Sequence, residues 1–236
     1  ITGFALSENG DEVWLSSADG ETLMGYRDCE EFDASPTGIS FGRYFKTSTN
    51  NYNFVLMARQ TLGFANSYPK VGPVVINEIM YNPASGDQRQ EYIELHNFGS
   101  TSVTLYDSNE NEPWKFTDGV DYTFPDYPGL TIPAGGYALI VKDITAYIAR
   151  YGMPPFGVMI LGPYSGSLSN SSEKLELSRP GDVDLYGLRH YIRVDRVNYS
   201  DGSHPEDSPD DIDLWPAEPD GGGKSLTRDD PDRYGN

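Results

Sequence analysis

Apolar and polar residues alternate with a period of two along most of this chain, in short runs bounded by turn-forming residues. The clear cases are EVWLS (12–16), VVINEIMY (74–81), EYIELHN (91–97), SVTLY (102–106), YALIVKD (137–143), KLELS (174–178) and YIRVDRVNY (191–199). A two-residue period sends successive side chains to opposite faces of a strand, so one face of each run can be buried while the other stays open. Between the runs lie SADG, PASGD, TIPAGG, SRPGD, SDGSHPED and EPDGGG, rich in the Gly, Pro, Ser and Asp that tight turns use. One segment breaks the pattern. ITAYIARYG (144–152) follows Asp143, an N-cap residue, and stops at Gly152 ahead of two prolines, which predicts a single short helix. The chain is read as all-β with that one helix.

An internal repeat sets the expected layout. FALSENGDEVWLS (4–16) aligns without gaps to GSLSNSSEKLELS (166–178), matching Leu6 with Leu168, Val13 with Leu175 and Leu15 with Leu177. Downstream, GISFGR (38–43) matches GKSLTR (223–228), with Gly, Ser and Arg in register. Residues 1–66 therefore read as the C-terminal half of a repeat, 67–73 as a linker, and 74–236 as a nearly full copy truncated at its C-terminal end. NNYNFVLMARQTLGFAN (50–66), a strand and a closing turn, has no counterpart after residue 228. A longer parent chain of tandem units is the expectation.

Acidic residues outnumber basic ones 36 to 17, giving a formal net charge of −19. Such a surface repels phosphate backbones and anionic lipid, so neither nucleic acid nor membrane insertion is expected. No run of eighteen apolar residues occurs. The one cysteine, Cys29, excludes an intrachain disulfide and decides nothing about compartment.

These segments, in this order, resemble the lamin tail domain family. The carrying motifs are INEI (76–79) before an Asn-Pro loop, EYIELHN (91–97), VTLYD (103–107), IPAGGYALIV (132–141) and LSNSSEKLEL (168–177). VDRVNYSDG (194–202), LWPAEPDGGGKSLTR (214–228) and the earlier LGFAN (62–66) complete the set. The resemblance implies an immunoglobulin-like β-sandwich more firmly than any activity. It also implies a bacterial, secreted or surface-attached setting for an interaction or architectural domain.

Candidate chemistry is concentrated in three places. In EYIELHN, alternation puts Glu91, Ile93, Leu95 and Asn97 on one side and Tyr92, Glu94 and His96 on the other. Glu91 and Glu94 therefore cannot act as a carboxylate pair, whereas Glu94 and His96 share a face that Glu78 could join from a paired strand. That trio is either a metal or acid–base cluster or an ordinary polar strand face. The acidic loops 200–221 and 106–114 hold the oxygen ligands that calcium prefers, without EF-hand spacing. Their candidate calcium ligands are Asp201, Glu206, Asp207, Asp210 and Asp211, then Asp107, Asn109 and Asn111; the alternative is a solvated acidic surface. Trp114 is the candidate sugar-stacking residue, against a core role, and Trp215 reads as core. Cys29 sits among acids in YRDCEEF, which raises a thiol's pKa and disfavours reactivity.

No nucleophile elbow, His-Glu-x-x-His pair, phosphate loop or paired CxxC is present. The expectation is a non-enzymatic extracellular or cell-surface structural or adhesion protein of tandem lamin-tail-like domains, assembling head-to-tail into a fibre. The alternative is a carbohydrate- or protein-binding accessory module of a larger secreted enzyme. Expected partners are the chain itself or neighbouring repeats, or else an extracellular polysaccharide or surface protein. No cofactor is required beyond possible calcium.

Overall fold

The computed structural model describes residues 5–47, 50–205 and 211–235. The chain divides into two units. The first lies within Ile1–Lys46, Asn51–Lys70 and Gly181–Ile192, the second within Thr47–Asn50, Val71–Pro180 and Arg193–Asn236.

In the first unit, β1 (Gly10–Asp19) and β2 (Thr22–Asp33) form one antiparallel hairpin, and β3 (Phe41–Lys46) and β4 (Asn51–Leu56) form another. Phe32, Phe41 and Phe54 join them through ring centroids 5.2–6.4 Å apart. Arg43 reinforces the contact, 3.8 Å from Asp28 and 3.5 Å from Glu30. Two-stranded hairpins are marginal alone because each strand leaves one edge and one face uncovered.

The second unit is a two-sheet sandwich. One sheet is assembled from β5 (Val74–Met80), β6 (Tyr92–Asn97), β12 (Tyr137–Val141), β13 (Met159–Leu161) and β16 (Leu226–Thr227), in the order β13-β12-β6-β5-β16. Only the β12–β13 pair is parallel. Facing it are β10 (Lys115–Asp118), β14 (Ser172–Val183) and β15 (Arg189–Ser200), the outer end of the β14–β15 hairpin being counted with the first unit. Two short pairs close the rim: β7 (Val103–Thr104) with β11 (Thr131–Ile132), and β8 (Tyr106–Asp107) with β9 (Glu112–Pro113).

Every alternating run named from sequence lies in or overlaps one of these strands. The core is the sum of their inward positions: Val74, Ile76 and Ile79 from β5, Ile93 and Leu95 from β6, Ala138 and Ile140 from β12, Leu175 and Leu177 from β14, and Val197 and Tyr199 from β15. Gly119 follows β10 at φ +90°, and a Cβ there would meet Leu175 Cδ1 at 2.6 Å, so a larger residue is barred by both backbone and core.

The helix α1 (Ile144–Tyr151) forms as expected. Asp143 Oδ1 accepts from the Ala146 amide at 2.8 Å, and Gly152 ends the helix at φ +83°. Tyr147, with Ile144, Ile148 and Tyr151, covers Met80, Tyr92, Leu139 and Val141 on the outer face of the five-stranded sheet. That sheet is therefore buried on one face entirely and on the other in part.

Candidate functional site

β6 carries the stretch richest in ionisable groups, and its two faces do different work. Glu91, just before the strand, points inward as alternation requires and is fully buried. Its Oε2 accepts from the Tyr164 hydroxyl at 2.9 Å and the Leu168 amide at 3.0 Å, with Lys142 Nζ 3.8 Å away. Lys142 also donates to Ser167. Burial pushes the Glu91 carboxyl up, held back by the Leu168 amide and the Tyr164 hydroxyl. Tyr199 donates to Ser169 O at 2.8 Å and to Glu173 Oε2 at 3.1 Å. Together these bonds fasten residues 164–173, which carry the chain toward β14, onto the sandwich. Glu91 is thus a structural anchor.

On the outer face, Glu78 and Glu94 are direct cross-strand partners on β5 and β6. Like charges so placed cost about 0.2–1 kcal/mol unless something compensates. Compensation comes from donors: Glu78 accepts from the Tyr92 hydroxyl at 2.5 Å and from Ser225, and Glu94 accepts from Asn77 at 2.8 Å. Burial raises the Glu94 carboxyl, the Asn77 bond lowers it and Glu78 raises it again. His96 turns away from acid–base use: its ring stacks on Tyr137 at 4.3 Å and 8°, and burial lowers its pKa. The trio is thus spread over three separate engagements. Among the described residues no group of three or more His, Cys, Asp or Glu is arranged to hold a metal ion.

The acidic loops are organised by internal hydrogen bonds. Asp107 Oδ1 accepts from the Asn109 amide at 3.0 Å, and its Oδ2 pairs with Arg179 at 3.2 Å. A guanidinium thus already neutralises the carboxylate that was to lead the 106–114 set. Asn111 adopts φ 54°, the left-handed region that a turn here demands. In the longer loop, Asp201 accepts from the Ser203 amide at 2.8 Å. Asp211 is exposed at φ 53°, and Glu206, Asp207 and Asp210 lie outside the described residues. The residue that orders this loop was not singled out from sequence. Asp213 accepts from the Ser200 hydroxyl at 2.5 Å, the His204 amide at 3.0 Å and the Trp215 amide at 2.9 Å. An Asp two residues before a buried-type Trp was the available signal.

Trp114 corrects the sugar-platform expectation. Its side chain belongs to the sandwich core with only 7% of the residue exposed, so its ring faces are spent on packing. Trp215 packs against the same core while half-exposed. It lines a cleft of about 80 Å³ with Ile76, Val197, Leu226 and Arg228. Beside that cleft lies a second feature invisible in the motifs. Asp195, buried, and Arg228, its side chain only 9% exposed, pair at 2.5 Å, while Asp195 also accepts from the Ile76 amide at 2.8 Å and Arg228 Nε donates to Ile76 O at 3.0 Å. β5, β15 and the segment after β16 meet at this clamp. Cys29 has its thiol pKa raised by burial, then by Glu12, Glu31, Glu30 and Asp28, which agrees with an unreactive thiol.

A sandwich with these motifs on its strands has a clear counterpart. The model of the Lamin Tail Domain matches residues 68–199, more than half of the chain. The chain belongs to the lamin tail domain family. The match begins just before β5 and ends within β15, so it spans most of the two-sheet sandwich. Family membership makes this an immunoglobulin-like domain of structural or binding type. No curated protein matches the sequence.

Proposed function

We propose that this chain is a non-enzymatic architectural protein of tandem lamin-tail-like units, acting outside the cell or at its surface and associating through its first unit. One observation carries the reading. Positions that the repeat makes equivalent have opposite environments: Leu6 is 56% exposed against 1% for Leu168, and Leu15 64% against 0% for Leu177. A buried leucine is worth about 1.5–3 kcal/mol over an exposed one, so a unit that displays both favours a protein surface that covers them. The carboxylates of β5 and β6 being committed to structural hydrogen bonds supports a non-catalytic role, and the resemblance to surface-attached domains supports the location.

Self-association is read from molar mass by sedimentation across about 1–500 μM, a span covering ordinary weak interfaces. Mass should rise with concentration, and Leu15→Lys should hold the chain at monomer mass. A monomer at every concentration in the unaltered chain overturns the assembly reading.

A further inference from the structure

Tyr81, the residue after β5, carries an unsatisfied polar group into the second unit. It is 0% exposed, its ring stacks on Tyr199 with centroids 5.0 Å apart, and its hydroxyl has no hydrogen-bond partner among the described residues. A hydroxyl buried without a partner is destabilising, so such a group points to a ligand that completes it.

Three acids gather around that hydroxyl. Asn82, the next residue, donates through Nδ2 to Asp220 Oδ1 at 2.5 Å. Tyr199 leads into Ser200, which donates to Asp213, and into Asp201, whose amide donates to Ser171 O at 2.8 Å. Gly202 runs so close to the 215–217 backbone that a Cβ there would sit 2.8 Å from Trp215 O and 3.2 Å from the Ala217 amide nitrogen, which draws Asp201 toward the turn that bears Asp220. Burial first, then Asp220, Asp201 and Asp213, accordingly push the Tyr81 phenol up to about 12. Asp213 is engaged through both oxygens, by the Trp215 amide at Oδ1 and by the Ser200 hydroxyl and His204 amide at Oδ2. Asp201 and Asp220 are hydrogen-bonded only through Oδ1, by the Ser203 amide and Asn82, which leaves Oδ2 of each open among the described residues. The loop 200–221 contains no Lys or Arg to neutralise them.

We propose that Asp201, Asp220 and the Tyr81 hydroxyl oxygen together hold a calcium ion, which ties the loop after β15 to the turn after β5. Among the described residues three acids do not close on an ion unaided, so the phenol oxygen is an integral part of the set. Every donor is an oxygen, the ligand type calcium takes at about six to eight positions, and backbone carbonyls and water complete the shell. Zinc would want nitrogen or sulfur ligands, and magnesium a stricter octahedron. Two carboxylates place the affinity at about 10⁻⁴–10⁻³ M, the range of extracellular modules. Of the ligands expected from sequence only Asp201 belongs to this site, which stands whether or not the chain associates through its first unit.

Calcium chloride is titrated calorimetrically into the whole chain at about 0.15 M salt, which screens the rest of the acidic surface. Binding should saturate, and two variants should each weaken it about tenfold or more. Asp220→Asn removes the charge but can still accept from Asn82, and Tyr81→Phe keeps the stack on Tyr199. Asp211→Asn makes the same charge change at an exposed position of the same loop and should leave affinity unaltered. Thermal melting adds a sign that a merely structural hydroxyl would not give. In chelator Tyr81→Phe should melt at or above the unaltered chain, because no hydrogen bond is lost. Calcium at about 10 mM should raise the unaltered midpoint by about 3–10 °C and that of Tyr81→Phe by less. Heat that does not saturate by about 10 mM calcium, a loss of affinity in only one of Asp220→Asn and Tyr81→Phe, or an equal loss in Asp211→Asn overturns the proposal. So does a Tyr81→Phe chain that melts lower in chelator, since the hydroxyl would then already have a partner.

Discussion

Replacing Asp195 by Asn should be among the most damaging single changes in the sandwich. The carboxylate is buried beside Arg228 at 2.5 Å and also receives the Ile76 amide at 2.8 Å. Asn keeps the shape and an acceptor for Ile76, but presents a neutral amide to a guanidinium with almost no water around it. Breaking a buried pair from one side costs about 3–5 kcal/mol, because the remaining charge is left uncompensated. At about 2–4 °C per kcal/mol for a unit of this size, the melting midpoint should fall by about 6–20 °C. The opposite lesion is expected to be gentler. Burial already pushes the Asp195 carboxyl up, with Arg228 the leading influence holding it down. In Arg228→Met the acid can take a proton and become neutral, so this loss should shrink at lower pH. Removing both charges, Asp195→Leu with Arg228→Met, leaves no charge uncompensated, only the Ile76 amide and carbonyl without these side-chain partners, so it should cost less than Asp195→Asn alone. Urea titration followed by tryptophan fluorescence in a Trp14→Phe background reports the second unit alone, through Trp114 and Trp215. A loss below about 1 kcal/mol for Asp195→Asn, or a double variant no more stable than it, would refute the reasoning.

Two further outcomes follow from the same geometry. Glu91, Glu94 and Glu173 have carboxyls raised above 4.5 and Asp195 one raised above 3.8, in each case by burial first. Groups raised on folding stabilise fully below the unfolded value and lose that contribution as pH climbs through the folded one, so thermal midpoints should be higher at about pH 5 than at pH 7. Asp87 and Asp184, lowered chiefly by the Arg89 side chain and the Leu188 amide respectively, act oppositely but only as pH falls through and below 3.8. Glu91→Gln should flatten the slope, and a midpoint that is level or falling from pH 7 to 5 would contradict this. Trp114→Ala should cost about 3–5 kcal/mol in urea unfolding, the range for a buried tryptophan; an unchanged midpoint would return Trp114 to the surface.

Strand content, the helix α1 with its Asp143 cap, and the inward set Ile93 and Leu95 were legible because each rests on local chemistry. Period-two alternation, turn residues and capping act within a few positions of one another. Glu91 shows how far this reach extends. Alternation put it on the core side of β6, yet its partners Tyr164 and Leu168 lie more than seventy residues away. Trp114 escaped for a related reason. An acidic loop before it suggests exposure, and only the packing of the two sheets shows where its ring goes. The acidic loops hid a long-range partner as well, since Asp107 is answered by Arg179, seventy-two positions distant.

The amino-acid sequence by itself determined the strand pattern and the family, since these depend on residue order and short-range periodicity. What only the tertiary structure decided is the fate of each ionisable group and of each apolar position. Asp195 and Arg228 become one buried clamp because β5, β15 and the segment after β16 converge there. Leu15 and Leu177 carry the same chemistry, but a facing sheet removes only Leu177 from water. Burial and charge pairing are sums over neighbours brought together from distant parts of the chain, and no stretch of sequence contains its own neighbours.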